Sequence, residues 1–430
     1  MGHVARCLAL AQAWQDGGGD AWVVSREVPA SWRRRLEREG VAVVAPERAT
    51  ELPRAEWCVI DGYHFDETDL GGATALGRRL AVVVDHGHGP GVPADLVVDQ
   101  NLGARAAAST PSLLGPRYAL LRRELRTALG GARPAGGRGP TTELSLLVSL
   151  GGLPGSAAEA FAERVLADPR LVALSVRRLQ HVADVAPELL AADLALAAGG
   201  STAWELCAFG VPAVLFAVAD NQEAVAVGLS DEGAALYAGR LAEANAPEVA
   251  DLVARLAGDE GLRRAITGRA TALVDGRGAP RVATAMRGCL LRCEAAPSEA
   301  AAGDGRRYVV DDGVRPLGRV TFERAGPTPT ATATATATAT MEVELEPGVL
   351  GSGYAAAVVD AAVRARFAER DIDVVVSTAA DGEWKEHLRD ADFDPSVGPT
   401  GSGRLELRRV RPVPAAGAAG SPPLMSGAPS

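Results

Sequence analysis

Short, unbroken runs of apolar residues alternate with helix-like segments from residue 1 to about residue 290, and this pattern limits the possible folds most strongly. A strand covered on both faces, as in a parallel sheet, is apolar throughout rather than alternating. The first series of runs is Ala21–Ser25, Val41–Ala45, Trp57–Ile60, Leu80–Asp85 and Leu96–Asp99. The second is Glu143–Gly152, Leu171–Val176, Leu194–Ala198 and Ala213–Phe216. The pattern predicts two parallel α/β units with a ligand cleft between them.

Two segments of different composition divide the chain into three units. Residues 127–140 are rich in Gly, Ala, Arg and Pro, and residues 294–305 in Ala, Gly and Glu, as is typical of linkers. We therefore place an N-terminal Rossmann-like domain at 1–126, a second Rossmann-like domain at 141–293 and a third domain at 306–410. We expect the tail 411–430 to be disordered, and the Thr-Ala run 328–340 to be a disordered insertion, although its β propensity also allows an extended hairpin.

Composition and charge exclude several classes of protein. A formal net charge of −10 argues against a broad nucleic-acid-binding surface. No run of about 18 uncharged apolar residues is present, so no membrane span is expected, and residues 1–7 lack the basic and apolar regions of a signal peptide. Five dispersed cysteines favour reduced thiols over a zinc site. We expect a cytoplasmic protein that uses neither a metal nor a cofactor.

The most informative local motif is the segment Gly199–Thr202, which follows the apolar run Leu194–Ala198 where a strand gives way to a helix. Such a turn presents unpaired backbone N–H groups and the positive helix end to an anion, typically a phosphate. Glu205, one helical turn beyond Ser201, could accept two hydrogen bonds from a ribose diol. These features suggest a nucleotide-sugar site, although an ordinary capped helix after a strand has the same local sequence.

Several segments together resemble the UDP-diacetamido-trideoxy-hexose hydrolases of pseudaminic acid biosynthesis. That group includes spore-coat-polysaccharide proteins and is similar in fold to GT-B glycosyltransferases. The segments are Gly2–Ala11, Val59–His64, Asp99–Asn101, Gly115–Arg122, Val148–Gly152, Ala198–Glu205, and the pair Asn221 and Gln222, in the family's order. The resemblance implies a GT-B-like pair of Rossmann-like domains. It also implies release of UDP from an amino-deoxy sugar nucleotide, by water attack with inversion at the anomeric carbon.

Two other functions stay open on the sequence alone. A GT-B glycosyltransferase would use the same UDP-sugar donor with a sugar or peptide acceptor in place of water. A non-catalytic nucleotide-sugar-binding protein would need no base. The family carries a strand and a Gly-rich turn before the pair Gly2 and His3, where this chain begins. We expect either a start codon placed too late, which we favour, or a first sheet that lacks its central strand.

The resemblance also assigns roles to individual residues. The family's proposed catalytic residue matches His3, and an imidazole can take up a proton near neutral pH. His3 heads a helix that should point into the cleft. The similarity to GT-B enzymes implies that Glu205 holds the ribose, and that Asn221 and Gln222 bind sugar or phosphate oxygens.

Polar and glycine residues at the predicted strand ends complete the candidate site. Gly151 and Gly152 could bring the backbone close to the nucleotide. Asp61 and Tyr63 follow an apolar run and should face the cleft, where Asp61 could orient a base, hold the sugar or simply cap a helix. The segment Asp85–His88 invites a metal interpretation, but no third well-spaced ligand accompanies it, so we expect no metal there.

The third domain resembles part of a GNAT acetyltransferase. In that family an Arg/Gln-x-x-Gly-x-Gly/Ala turn cradles the pyrophosphate of acetyl-CoA. Gly353 and Ala355 fit its last two positions and Gly351 lies in the same turn, but Leu350 stands at the Arg/Gln position. Further along, Asp392 replaces a glycine of the closing strand. We therefore expect an α+β GNAT-like domain that is degenerate or structural, with acetyl-CoA as its ligand if the site is active.

Overall fold

The computed structural model describes residues 2–62, 65, 72–73, 75–84, 94–105, 110–130, 143–150, 156–179, 184–296, 305–324, 338–350, 353–369, 374–379, 383–394 and 405–410. Within these ranges no helix is both long and apolar enough to cross a membrane. The tail 411–430 and residues 328–337 of the Thr-Ala run lie outside the described residues.

The first unit contains two parallel sheets. Its elements are α1 (Gly2–Asp16), β1 (Trp22–Val24), α2 (Ala30–Arg38), β2 (Ala42–Val44), β3 (Ala55–Asp61), β4 (Gly77–Val83), β5 (Leu96–Asp99), β6 (Ser112–Leu114) and α3 (Arg123–Gly130). Strands β1 and β2 pair with each other, and β3 to β6 form a separate four-stranded sheet. Helix α1 is buried from Leu8 to Ala13 because it packs against the cores of both sheets.

The second unit is a five-stranded parallel sheet with helices on both faces. Its elements are β7 (Ser145–Ser149), α4 (Ala157–Leu166), β8 (Ser175–Arg178), α5 (Ala186–Ala191), β9 (Leu194–Ala198), α6 (Ser201–Ala208), β10 (Ala213–Ala217), α7 (Asp220–Asp231), β11 (Leu236–Arg240), α8 (Ala246–Gly258), α9 (Glu260–Leu273) and α10 (Gly278–Leu290). The strand order is β11-β10-β9-β7-β8. Strands β7, β9 and β10 are buried at every position, which explains their unbroken apolar runs.

One predicted strand of the second unit is displaced. The strand expected near Leu171–Val176 begins instead at Ser175. Pro169 starts a 3-10 turn, Pro169–Leu171, which Asp168 caps by accepting a hydrogen bond from the backbone N–H of Arg170. Leu171 is apolar because it is buried in the core from this turn, and not because it lies in a strand.

The third unit is a six-stranded mixed sheet. Its elements are β12 (Arg292–Ala296), β13 (Arg306–Asp311), β14 (Pro316–Arg324), β15 (Thr338–Leu345), α11 (Ala355–Ala368), β16 (Val374–Ala379), α12 (Glu383–Asp390) and β17 (Leu405–Val410). Neighbouring strands follow chain order and are antiparallel, except that β15 and β16 are parallel. The two parallel α/β units and this α+β unit confirm the predicted fold class.

The expectation of disorder for the Thr-Ala run is wrong at its C-terminal end. Residues 338–340 belong to β15 and pair with β16. Ala339 is 1% exposed and lies in the core of the third unit, so burial of this side chain favours the strand at that point.

The segment Arg117–Arg122, which we call the junction segment, joins the cores of the first two units. Tyr118 and Leu120 pack in the core of the first unit, whereas Ala119 and Leu121 pack in the core of the second. The segment leaves a 3-10 turn, Pro116–Tyr118, and its successive side chains point to opposite sides, so one short segment serves both cores. The relative position of the two units is therefore tied to this segment.

Helix α10 supports the same arrangement from the second unit. Trp57 of β3 donates a hydrogen bond from its indole nitrogen to the Met286 carbonyl oxygen at 3.1 Å. A Cβ atom at Gly278 would overlap the backbone of Ala119, so only glycine lets α10 begin against the junction segment.

Candidate active site

The Gly-rich turn lies between β9 and α6. The Gly199 N–H donates to the Phe216 carbonyl oxygen at 2.9 Å, which fixes the exit from the strand. A Cβ at Gly199 would lie 2.7 Å from the Gln222 carbonyl oxygen, because α7 passes close to the turn. No side chain caps α6 at Gly200, whereas Ser156 caps α4 and Asp259 caps α9. An uncapped helix start next to glycines is the geometry that anion binding uses.

A histidine–carboxylate pair lies at the end of β3. His3 Nδ1 is 2.7 Å from Asp61 Oδ1, and the Asp61 side chain is 1% exposed while that of His3 is 35% exposed. Arg6, one turn along α1 from His3, donates to both oxygens of Asp61, at 2.9 Å from Nε and 2.6 Å from Nη2. Nothing in the sequence assigns this role to Arg6, although its i, i+3 spacing from His3 places the two side chains on one helix face.

His3 Nδ1 has two partners that favour different tautomers, because Arg6 Nη2 lies 2.9 Å from it and Asp61 Oδ1 lies 2.7 Å from it. The Arg6 guanidinium can only donate hydrogen bonds, and Asp61 can only accept them when it is ionised. With the proton on Nδ1, His3 donates to Asp61 and the lone pair lies on Nε2. In that tautomer Asp61 orients the ring as the carboxylate of a catalytic triad orients its histidine, and Nε2 is the nitrogen that can take up a proton.

The histidine–carboxylate pair and the Gly-rich turn lie next to each other across the interface between the first two units. A Cβ at Gly2 would be 3.4 Å from Ser201 Oγ, so the start of α1 lies against the start of α6. The structure thus places Gly2, the residue before His3, against Ser201, so the pair His3 and Asp61 lies near the start of α6. Both helix N-termini carry partial positive charge, which favours an anion near this point.

Glu205 is buried and bound by a residue that sequence analysis did not single out. Arg122 Nη2 donates to Glu205 Oε1 at 3.0 Å, and both side chains are about one-tenth exposed. Burial raises the pKa of Glu205 above its ordinary value, and the Arg122 guanidinium opposes that rise. The signal in the sequence was the position of Arg122 at the end of the segment Gly115–Arg122, but nothing in that segment indicates its partner.

The remaining predicted residues divide into two groups. Gln222 lies over the turn: its Oε1 accepts from the Val218 N–H at 3.0 Å, and its Nε2 is 3.6 Å from where a Gly200 Cβ would lie. Asn221 is exposed in the first turn of α7. Tyr63, Gly151, Gly152, Gly351 and the segment Asp85–His88 lie outside the described residues. Among the residues that are described, no three His, Cys, Asp or Glu side chains form a group that could hold a metal.

The turn before α11 does not fit the pyrophosphate of acetyl-CoA at Gly353. A Cβ there would overlap the backbone of Gly17, so the first unit fills the space next to this glycine. Ala355 is completely buried, and the Leu350 side chain offers no hydrogen-bond donor where the GNAT turn has Arg or Gln. The contact instead joins the third unit to the first.

Known proteins resemble parts of this chain. No protein-family model matches the chain. A stretch of 166 residues is 36% identical to the UDP-N-acetylglucosamine--N-acetylmuramyl-(pentapeptide) pyrophosphoryl-undecaprenol N-acetylglucosamine transferase of Sorangium cellulosum (strain So ce56), and covers 35% of this chain. The match spans 40% of that relative's length.

Solved structures with similar parts fall into two groups. The match to MurG of Acinetobacter baumannii covers 66% of this chain and 95% of the MurG chain, with 17% identity and a TM-score of 0.48. The rhamnosyltransferase SpnG in complex with thymidine diphosphate covers 65% of this chain and 95% of its own, with 17% identity and a TM-score of 0.45. The GNAT domain of S. lividans PAT covers 25% of this chain and 61% of its own, with 22% identity and a TM-score of 0.21.

Proposed function

We propose that the chain is an enzyme that transfers a sugar from a nucleotide-sugar donor to an acceptor hydroxyl group, as GT-B glycosyltransferases do. The observation that supports this most strongly is the pair His3 and Asp61, which the contact between Gly2 and Ser201 places beside the Gly-rich turn. A base and an anion-binding turn at one point are the two groups that such a reaction needs.

The donor would be held by the second unit. The N–H groups at the start of α6 would face the diphosphate, and Glu205 would accept hydrogen bonds from the ribose hydroxyls. We take UDP as the nucleotide because the Sorangium relative is named for a UDP-sugar. Gln222 lies where it can contact a phosphate or sugar oxygen at the turn.

The reaction would be a single displacement. His3 Nε2 takes the proton of the acceptor hydroxyl while the acceptor oxygen bonds to the anomeric carbon. The bond from that carbon to the diphosphate oxygen breaks, UDP leaves with the electron pair, and the configuration inverts. The helix end at the turn stabilises the charge that develops on the leaving diphosphate. Asp61 stabilises the protonated ring of His3, and Arg6 holds Asp61 in place.

Water as the acceptor is the second candidate, and the resemblance of the segment Gly2–Ala11 around His3 to the sugar-nucleotide hydrolases favours it. The substrate would then be a UDP-linked diacetamido-trideoxy hexose. The same base would activate water in place of a hydroxyl group, so the two candidates differ in what occupies the acceptor position and not in the donor site.

Release of UDP from a panel of UDP-sugars, measured with and without acceptors, tests both candidates. Release that needs a sugar or peptide acceptor supports the transferase, and release in water alone supports the hydrolase. H3Q should slow release roughly 10²–10⁴-fold but leave UDP binding intact, whereas the control H387A in α12 should behave as wild type. Full activity of H3Q would show that His3 is not the base, and UDP binding without turnover of any donor would contradict an enzymatic role.

A further inference from the structure

We infer that Arg122 of the junction segment positions the Glu205 carboxylate for the ribose diol, so that the first unit takes part in nucleotide recognition by the second. This inference rests on the proposed function, because it assumes that Glu205 binds ribose. It adds a residue that lies outside the Gly-rich turn and is separated from Glu205 by 83 positions.

Arg122 is held firmly enough to act as a positioning residue. Its Nη1 is 3.2 Å from Glu124 Oε1, and Glu124 is bound in turn by Arg35 of α2 at 2.9 Å. The guanidinium also lies over the ring of Trp32, 5.7 Å from the ring centre. An ion pair and a cation–π contact on the first unit therefore hold the guanidinium, and its Nη2 presents one donor to Glu205.

The bond from Arg122 leaves Glu205 able to bind a diol. An ionised carboxylate has about four acceptor positions, and Arg122 uses one of them on Oε1. The backbone of the junction segment cannot shift easily, because the neighbouring Leu120 and Leu121 are buried in different cores. The direction in which Glu205 points is thus set by residues of both units.

Arg122 also keeps Glu205 in the form that can accept two hydrogen bonds. A protonated carboxyl group has a donor where a diol hydroxyl needs an acceptor. The charged groups that face Glu205 are Arg122 and Glu124, and only Arg122 favours the carboxylate. Burial already raises the pKa of Glu205, so loss of Arg122 should raise it further and make ribose binding depend on pH.

The test compares binding of UDP and 2′-deoxy-UDP to the full chain by calorimetry, at about pH 6 and about pH 8. Wild type should prefer UDP by about tenfold at both pH values, the loss expected for one charge-assisted hydrogen bond. R122Q should lose this preference at the lower pH and recover part of it at the higher pH. R122K keeps the positive charge, so its preference for UDP should lie between those of wild type and R122Q. The control R126Q removes the ion pair between Arg126 of α3 and Asp16 of α1, and it should match wild type.

The outcomes separate the inference from the proposed function. Thermal unfolding of each variant establishes that it is folded. If R122Q is not folded, the nucleotide preference of R122K at the two pH values tests the inference. If wild type binds no nucleoside diphosphate, the proposed function fails. If E205Q removes the preference for UDP but neither R122Q nor R122K changes its size or its pH dependence, the ribose site stands and the role of Arg122 is wrong. If E205Q keeps the preference, Glu205 does not bind ribose and the inference is overturned.

Discussion

Asp392 of the third unit accepts a hydrogen bond from the hydroxyl group of Tyr118 in the junction segment, with the two oxygens 2.8 Å apart. Among the described residues Asp392 is the only non-glycine with positive φ, at 69°. The same carboxylate lies 2.7 Å from Arg117 and 3.4 Å from Arg281. A non-glycine residue keeps a left-handed backbone conformation when its contacts offset the strain. Here the contacts of Asp392 join the third unit to the other two.

The first prediction concerns this contact. D392G relieves the backbone strain but removes all three interactions, so we expect the free energy of unfolding to fall by about 1–3 kcal/mol. Y118F removes only the hydroxyl group and should cost about 1 kcal/mol. Chemical denaturation of both single variants and the double variant measures the coupling between them. A D392G variant more stable than wild type would show that strain, and not the contacts, dominates at this position.

The second prediction compares two adjacent glycines of the turn. A Cβ at Gly199 would lie 2.7 Å from the Gln222 carbonyl oxygen and 3.0 Å from Ala226 Cβ, whereas the nearest atom to a Cβ at Gly200 is 3.6 Å away. We expect G199A to lower the free energy of unfolding by about 1–3 kcal/mol, because α7 must move, and G200A to change it by less than about 0.5 kcal/mol. Urea denaturation tests this, and equal effects of the two substitutions would contradict the packing argument.

The third prediction concerns the turn that resembles a GNAT motif. Because the backbone of Gly17 fills the space beside Gly353, we expect calorimetry of the full chain to show no binding of acetyl-CoA. UDP, titrated into the same preparation, serves as the positive control. Saturable binding of acetyl-CoA would mean that the contact between the first and third units opens in solution.

The sequence carries enough information for the layers of the fold, because burial on both faces changes composition. Leu194–Ala198 is apolar at every position and is buried at every position, so its run of residues predicts a central strand. The turn at Gly199 can also be predicted from the sequence, because α7 passes so close that only glycine fits at this position. Leu171 shows the limit of this approach: an apolar residue in a buried turn gives the same local pattern as one in a strand.

Polar partners distant in the chain could not be predicted in the same way. Arg6 and Asp61 are 55 positions apart, and Tyr118 and Asp392 are 274 apart. An arginine on a helix looks like a solvated side chain until the fold places a carboxylate beside it. The sequence therefore predicted His3 as a base and Asp61 as a residue that could orient a base, but the hydrogen bond between them became visible only when β3 was placed beside α1.

The last prediction tests whether His3 and Asp61 act as one catalytic unit. H3Q should lower kcat by roughly 10²–10⁴-fold, the contribution of a general base, with little change in KM. D61N should lower kcat as well, because an amide cannot accept the Nδ1 proton in the same way and the ring loses its tautomer and orientation. Since Asp61 acts through His3, the double variant should be no slower than H3Q alone. Losses that multiply in the double variant, measured as steady-state release of UDP, would show that the two residues work independently.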